Sequence, residues 1–381
     1  MKKKILLMND LIVGGGVEKL MYDLVMAWHE KYDITVMSYR YDDRFYDIYP
    51  SDVKYLSESV PREYKSNPFV HVLSSINRRI YGATIVRRIE KMGFDVMLCM
   101  KDGGTMWSGL KYNIPVKYAW NHTDYNSHYY TLSTFGSAEA EVEAMQQYKN
   151  IVCVSQDIKK GVCDVIGDPG NLIVKYNPIN VENILEKAKE PVVDIDSLDL
   201  PKDAQPVRFV SVGRLNEQKG YTFLIEACKA LEDEGYNFEV IVVGAQEEWG
   251  EETRRIDEAM RRTGAKKIKF IGGRSNSYKY MAIADWFIST SIYEGYSLVS
   301  QEAAVLDVPL MLTDCSGVRE LLGDSEYGIV MPINVVGIYK SMKRVLDNPE
   351  LREYYKNKIM ERKSIITYQE RIREIEKLIE G

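Results

Sequence analysis

The stretch that decides the fold is ISTSIYEGYSLVSQEAAVLDVP, Ile288 to Pro309. Trp286, Phe287 and Ile288 make an unbroken apolar run, which suits a strand of a parallel sheet covered on both faces. The loop Thr290 to Gly295 then carries Glu294 to the strand's carboxyl end. Ser297 stands as the N-cap of a helix bearing Leu298, Val299, Ala303 and Leu306. Glu302 lies on that helix, eight residues after Glu294. Ligands of open α/β sheets bind outside the carboxyl ends of strands, and free N–H groups at a helix start attract anions. The segment offers a carboxylate, a bed of amides and a second carboxylate about one helical turn further in.

Around this stretch the carboxyl-terminal half alternates with unusual clarity. Strands are predicted at Val207–Val212, Phe238–Val243, Ile268–Ile271, Trp286–Ser289, Pro309–Thr313 and Gly328–Met331, separated by helical or loop segments. That is the pattern of a parallel sheet with helices on both faces. The first of these strands ends in V-G-R-L-N-E-Q-K-G. Gly213 permits close backbone approach, and Arg214 and Lys219 flank a loop leading into a helix from Tyr221 to Leu231. Two fixed cations beside a helix N-terminus make a pyrophosphate site. They fall on the same sheet edge as the two glutamates.

The amino-terminal half begins alike. Ile5–Met8 reads as a buried strand, Leu11–Gly16 as a glycine-rich turn, and Val17, Leu20, Met21, Leu24 and Val25 as one helix face. A nicotinamide site fits poorly, because Lys19 stands where a third glycine is wanted and the next strand, Ile34–Ser38, ends without an acidic residue. Further strands are expected at Val96–Met100, Val116–Ala119 and Ile151–Ser155. His122 lies just past a strand end, on the ligand side; His128 and Asp124 are weaker candidates. Trp120, Asn121, Tyr125, Asn126, Tyr129 and Tyr130 have the chemistry to meet sugar faces and hydroxyls, or to pack an interface loop. Residues 62–94 are the most basic stretch, with apolar residues interleaved at helical spacing. That pattern suits either an anionic membrane surface or a core helix with a solvated face.

At 381 residues two domains are the natural reading. A net charge of -6 argues against general nucleic-acid binding. The five cysteines lack C-x-x-C spacing, and Cys99, Cys153 and Cys228 sit in apolar runs as reduced core residues. The four histidines are not spaced for zinc. The opening MKKKILLMND is too short in apolar residues for a signal peptide or membrane span, so a cytoplasmic protein is expected.

E-G-Y-S-L followed by Q-E-A-A and T-D-C resembles the E-x7-E segment of the retaining glycosyltransferases of family 4, which have the GT-B fold. G-R-L-x5-G from Gly213, G-G-V-E-K from Gly15 and K-Y-N-P-I-N from Lys175 resemble further motifs of that family; Ala245 and Gln246 depart from its V-G-x-G turn. The resemblance implies an α/β chain with two Rossmann-like domains whose parallel sheets face a central cleft. Residues 1–190 would form the acceptor side, 191–359 the donor side, and a last helix within 360–381 would return to the first domain. It puts Arg214 and Lys219 on a donor diphosphate, Glu302 on ribose hydroxyls, and Glu294 and His122 on the donor sugar. Amides around Gly15, Gly16, Gly213, Gly295, Tyr296, Ser297 and Leu298 would line the phosphates, and Ile271–Arg274, with Gly272 and Gly273, the base. The implied reaction is transfer from a nucleotide sugar, UDP-linked in the first instance, to a glycan or lipid-linked saccharide in bacterial surface-polysaccharide synthesis. No metal or other cofactor is implied, since the two cations can replace a divalent ion. Residues 62–94 would meet the inner face of the membrane. A GT-B nucleotide-sugar epimerase, a phosphorylase or a non-catalytic nucleotide-sugar-binding subunit are the alternatives.

Overall fold

The structure is a computed structural model that describes residues 2–12, 14–39, 41–42, 44–57, 84–194, 206–245, 250–363 and 368–381. Its chain divides into two compact units, Met1–Pro178 with Gln369–Gly381, and Ile179–Tyr368. The helix Val181–Lys187, which the sequence reading set before the crossing at 190, packs with the second unit, against the helices Leu298–Val305 and Tyr278–Ala282.

The first unit is built on a seven-stranded sheet, β1 (Lys4–Asn9), β2 (Asp33–Ser38), β3 (Lys54–Ser57), β4 (Val96–Cys99), β5 (Val116–Asn121), β6 (Asn150–Cys153) and β7 (Leu172–Val174). The strands run in the order β3-β2-β1-β4-β5-β6-β7 and pair in parallel throughout. The inner strands read as apolar runs because helices cover both faces: Ile5, Leu6 and Leu7 are wholly buried, as are Met97, Leu98 and Cys99. The short edge strands β3 and β7 were missed in the sequence: the apolar residues of β3, Tyr55 and Leu56, are flanked by Lys54 and Ser57, and the apolar run of β7 is only three residues long. The last helix, Tyr368–Glu380, belongs to this unit. It buries Ile372, Ile375 and Ile379, and Arg371 donates to the carbonyl of Asn177 at 2.7 Å.

The second unit holds a six-stranded parallel sheet, β8 (Val207–Val212), β9 (Phe238–Val243), β10 (Ile268–Phe270), β11 (Trp286–Ser289), β12 (Leu310–Thr313) and β13 (Ile329–Met331). Their order is β10-β9-β8-β11-β12-β13. In each sheet the chain winds outward, then returns to the other side of the starting strand. That reversal leaves a crevice between β1 and β4 in the first sheet and between β8 and β11 in the second. In the second unit, therefore, the two loops singled out from the sequence leave adjacent strands at the point where the order reverses.

Residues 58–83, most of the basic stretch, lie outside the described residues. Residues 84–92 are helical, with Ile85 and Ile89 buried and Arg87, Arg88 and Lys91 exposed. Among the described residues no helix is long and apolar enough to cross a membrane.

Candidate active site

Two backbone contacts draw the loops of the second unit together. Gly220 caps the helix Tyr221–Asp233 in the left-handed region at φ +59, and a methyl placed on it would stand 2.3 Å from the carbonyl oxygen of Thr290. Only glycine meets both demands. At the neighbouring strand end a methyl on Gly244 would lie 1.9 Å from the Gly213 carbonyl oxygen. The Ile292 amide donates to the Gln218 carbonyl at 2.7 Å, and Thr290 Oγ1 to the Lys219 carbonyl at 2.9 Å. Residues 218–220 and 290–292 are thereby stitched into one surface.

On that surface the Lys219 ammonium and Glu294 Oε1 are 2.5 Å apart, with both side chains largely buried. Ser291 Oγ donates to the same carboxylate oxygen at 2.7 Å. Thr313 Oγ1, at the end of β12, holds the Ser291 carbonyl at 2.5 Å. The stem of Lys219 lies across Gly213, where a methyl would come within 2.9 Å of its Cε. Arg214 is exposed, and its guanidinium makes no hydrogen bond or ion pair with a described residue. The site thus presents one free guanidinium and one ammonium already matched to a carboxylate.

Ser297 caps the helix Leu298–Val305 as the sequence predicted, its Oγ accepting from the Ser300 amide at 3.4 Å. Glu302 is 3% exposed and receives the Tyr278 hydroxyl at 3.4 Å, so it is no ordinary surface glutamate. Gly317, at φ +78, packs so closely that a methyl would fall 2.7 Å from the Gly295 carbonyl oxygen and 2.9 Å from the Tyr296 ring. The T-D-C-S-G loop accordingly braces Gly295 and Tyr296. At the end of β9 the Gly244 amide donates to the Gly272 carbonyl at 3.1 Å, and Gly273 packs on Ala245. Arg274 is tied to Asp194 at 3.0 Å, and Tyr280 donates to the same carboxylate at 2.7 Å. Asp194 opens the chain's one Asp-x-Asp triplet, 194–196, which the sequence reading passed over. It is engaged in this ion pair. Among the described residues no group of three or more His, Cys, Asp or Glu side chains is placed to hold a metal ion.

In the first unit the left-handed demand falls on Gly14, at φ +140; Gly15 is extended and caps the helix Gly16–Trp28. Glu18, one turn in, accepts from Asn9 Nδ2 at 2.9 Å and so pins the turn to the end of β1. Lys101 and Thr105, beyond β4, both donate to Asp10 beyond β1, at 2.8 and 2.5 Å. Sequence reading carried Glu18 only within the G-G-V-E-K segment and missed Asp10 and Lys101, although these two follow the ends of β1 and β4. His122 follows β5. Its Nε2 stands 3.0 Å from the Met100 carbonyl, an acceptor only, so Nε2 carries the proton and Nδ1 is left as an acceptor. Burial lowers the His122 pKa to about 4, with Lys101 adding to the effect against that hydrogen bond, so the ring is neutral at physiological pH. Trp120, Asn121 and Tyr125, read from the sequence as partners for sugar faces, are each at most 2% exposed and belong to the core. Asp124 is likewise buried, receiving Ser127 Oγ at 2.6 Å.

Two doubly wound parallel sheets, each reversing its strand order beside the loops just described, define the GT-B fold. The chain superposes on the crystal structure of Anabaena Alr3699/HepE in complex with UDP and glucose with a TM-score of 0.79, at 16% identity over 99% of both chains. The model of the group described as Glycosyltransferase Family 4 matches residues 14–183, and that of Glycosyl transferases group 1 matches residues 192–362. The chain belongs to this family of glycosyltransferases. Among curated relatives it is 32% identical over 192 residues to the N-acetylgalactosamine-N,N'-diacetylbacillosaminyl-diphospho-undecaprenol 4-alpha-N-acetylgalactosaminyltransferase of Campylobacter jejuni. That match takes in 50% of this chain and 48% of the relative. An uncharacterized glycosyltransferase of Methanocaldococcus jannaschii is 27% identical over 57% of this chain and 56% of its own. The chain spans about half the length of these curated relatives.

Proposed function

We propose that the protein transfers a sugar, with retention of anomeric configuration, from a UDP-sugar to a lipid-linked saccharide in the assembly of a bacterial surface glycan. The observation that carries this reading is the meeting of Arg214, Lys219 and Glu294 on adjacent strand ends at the crevice of the second sheet. A cationic pair beside a helix start suits a diphosphate, and a buried carboxylate beside it suits sugar hydroxyls. UDP is named in the complex of the structurally similar Anabaena protein, and a diphospho-undecaprenol acceptor in the name of the Campylobacter relative.

In the reaction proposed, the bond between the sugar's anomeric carbon and the diphosphate oxygen breaks. The acceptor hydroxyl attacks the same face, and its proton passes to the departing diphosphate. Arg214 and Lys219 stabilise the negative charge that grows on the leaving group, the kind of preorganised electrostatic help that dominates such steps. Glu302 takes ribose hydroxyls, and the backbone of 271–274, with Gly272 and Gly273, takes the base. Amides at Tyr296, Ser297 and Leu298 support the phosphates. In the first unit Gly16 offers a helix-start amide and His122 an acceptor at Nδ1.

Calorimetric titration with UDP, GDP and ADP, each with and without EDTA, tests the donor site. Micromolar UDP binding unchanged by EDTA is the expected result, followed by turnover of a UDP-sugar on a polyprenyl-diphosphate saccharide. Absence of binding to all three nucleotides would sink the assignment, and tight binding without turnover on any acceptor would favour a non-catalytic subunit.

A further inference from the structure

The pairing of Lys219 with Glu294 has a chemistry of its own. Glu294 Oε1 carries both the Lys219 ammonium, at 2.5 Å, and the Ser291 hydroxyl, at 2.7 Å. Oε2 has only a long approach from Gln218 Nε2, at 3.5 Å. Of the three ammonium protons, one is spoken for; Lys219 makes no other hydrogen bond to a described side chain. The ammonium can therefore bridge a carboxylate on one side and a phosphate on the other. Its stem is fixed over Gly213, so it need not move to do so.

We propose that Glu294 serves as a built-in counter-ion that sets the donor site against the free nucleotide product. This inference rests on the donor-site reading above. A nucleoside diphosphate that has lost its sugar exposes a terminal phosphate with one more ionisable oxygen than the sugar-bearing diester. It is the more repelled of the two by a carboxylate that shares the same ammonium. The sugar-bearing donor offsets that repulsion by giving a hydroxyl to Oε2, which has only the long Gln218 approach, a charge-assisted bond that the product cannot make. Glu294 thus lowers affinity for bare UDP more than for UDP-sugar, and speeds release once the sugar has left. In this role it is a positioning residue acting through Lys219 as well as a partner of the sugar.

Glu294→Gln keeps the shape, still accepts the Ser291 hydroxyl and removes the charge. Calorimetry on the full chain should show UDP binding about tenfold tighter in this variant, on the order of 1.4 kcal/mol. Affinity for the UDP-sugar that the wild type turns over should stay level or weaken, and kcat should fall. A residue that merely held the loop together would weaken both ligands alike. Thermal melting establishes that the variant is folded. Glu294→Asp, whose shorter reach draws the carboxylate back from Lys219, supplies the same comparison if Gln is not tolerated, with a smaller gain of the same sign. Unchanged or weaker UDP binding in a folded variant, with the wild type binding UDP normally, overturns the inference and leaves the donor site standing. Failure of the wild type to bind any nucleoside diphosphate overturns both.

Discussion

Gly220→Ala should disable the enzyme with only a moderate loss of stability, and the structure gives the size of both effects. The new methyl would stand 2.3 Å from the Thr290 carbonyl oxygen, whereas ordinary contact needs about 3.3 Å. The loops after β8 and β11 must then part by roughly 1 Å, the scale on which misplaced catalytic groups lose about two decades of rate. Those loops carry Lys219 and Glu294. The left-handed backbone at φ +59 adds about 1–2 kcal/mol for a residue with a side chain, and relief of the clash a further ~1–3 kcal/mol. A melting temperature lower by roughly 4–20 °C follows for a unit of this size. Gly264→Ala is the control, because Gly264 has the same left-handed backbone at φ +63 with nothing within 4 Å of its added methyl. It shares the backbone cost and not the collision. Initial-rate kinetics on a UDP-sugar, with melting curves for both variants, separate the two terms. If kcat/KM of Gly220→Ala lay within threefold of that of Gly264→Ala, the loops would not be held by this contact, and the reasoning from glycine to site geometry would fail.

Arg214→Ala should lower kcat by about two to three decades, the cost of one transition-state charge contact. Its melting temperature should stay near that of the wild type, since the exposed Arg214 guanidinium has no hydrogen bond or ion pair to a described residue. Stability should fall as pH drops from about 6.5 towards 4. The His122 pKa is depressed to about 4, so in that window the unfolded chain binds a proton that the folded chain refuses, and acid favours unfolding. The contribution is at most about 3 kcal/mol. Melting curves against pH for His122→Asn should lack it, leaving the opposite slope of buried Asp102, whose carboxyl pKa is raised by burial. Ile375→Ala, in the last helix, removes a fully buried side chain and should cost about 2–5 kcal/mol, read by denaturant unfolding, without changing UDP affinity.

The parts of the fold that were legible in the sequence are those where burial acts on many consecutive residues. β8, β9 and β11 sit in the middle of a sheet covered on both faces, so nearly every position along them is apolar or small, the paired Arg208 and Glu239 apart, and the strands announce themselves. β3 pairs on one side only; its KYLS runs from exposed to buried and matches no template. The site was legible where chemistry coincided with punctuation, as in the glycines around Arg214 and Lys219. Loop contacts were not. Nothing in S-T-S-I-Y-E says that Ser291 will share a carboxylate oxygen with Lys219, seventy-two residues earlier, or that Thr313 will hold the Ser291 carbonyl. The aromatic run at Trp120 misled for a related reason. Composition gives an aromatic ring its affinity for sugars, but only the sheet decides that Trp120, on β5, points into the core at 0% exposure.

The same plan recurs in the two units with different side chains, which bears on how a site of this kind arises. In each sheet the strand order reverses beside the first strand, and in each a polar pair links the loops across the reversal: Asp10 with Lys101 in the first, Lys219 with Glu294 in the second. Reversal leaves two strand ends side by side with no helix packed over them, so backbone amides and loop side chains there must find partners in one another or in a ligand. A charge pair lets them satisfy one another, and in a half-buried crevice it is screened less than at an open surface. Such a pair is also a store of charge already desolvated and oriented. Its groups need only exchange one partner for another when a phosphate or hydroxyl arrives, and little of the cost of ordering them remains to be met at that moment. The second unit adds an uncompensated cation, Arg214, to its pair. The first sheet's pair is balanced, with Thr105 closing the remaining side of Asp10. That asymmetry supports placing the anionic diphosphate against the second sheet.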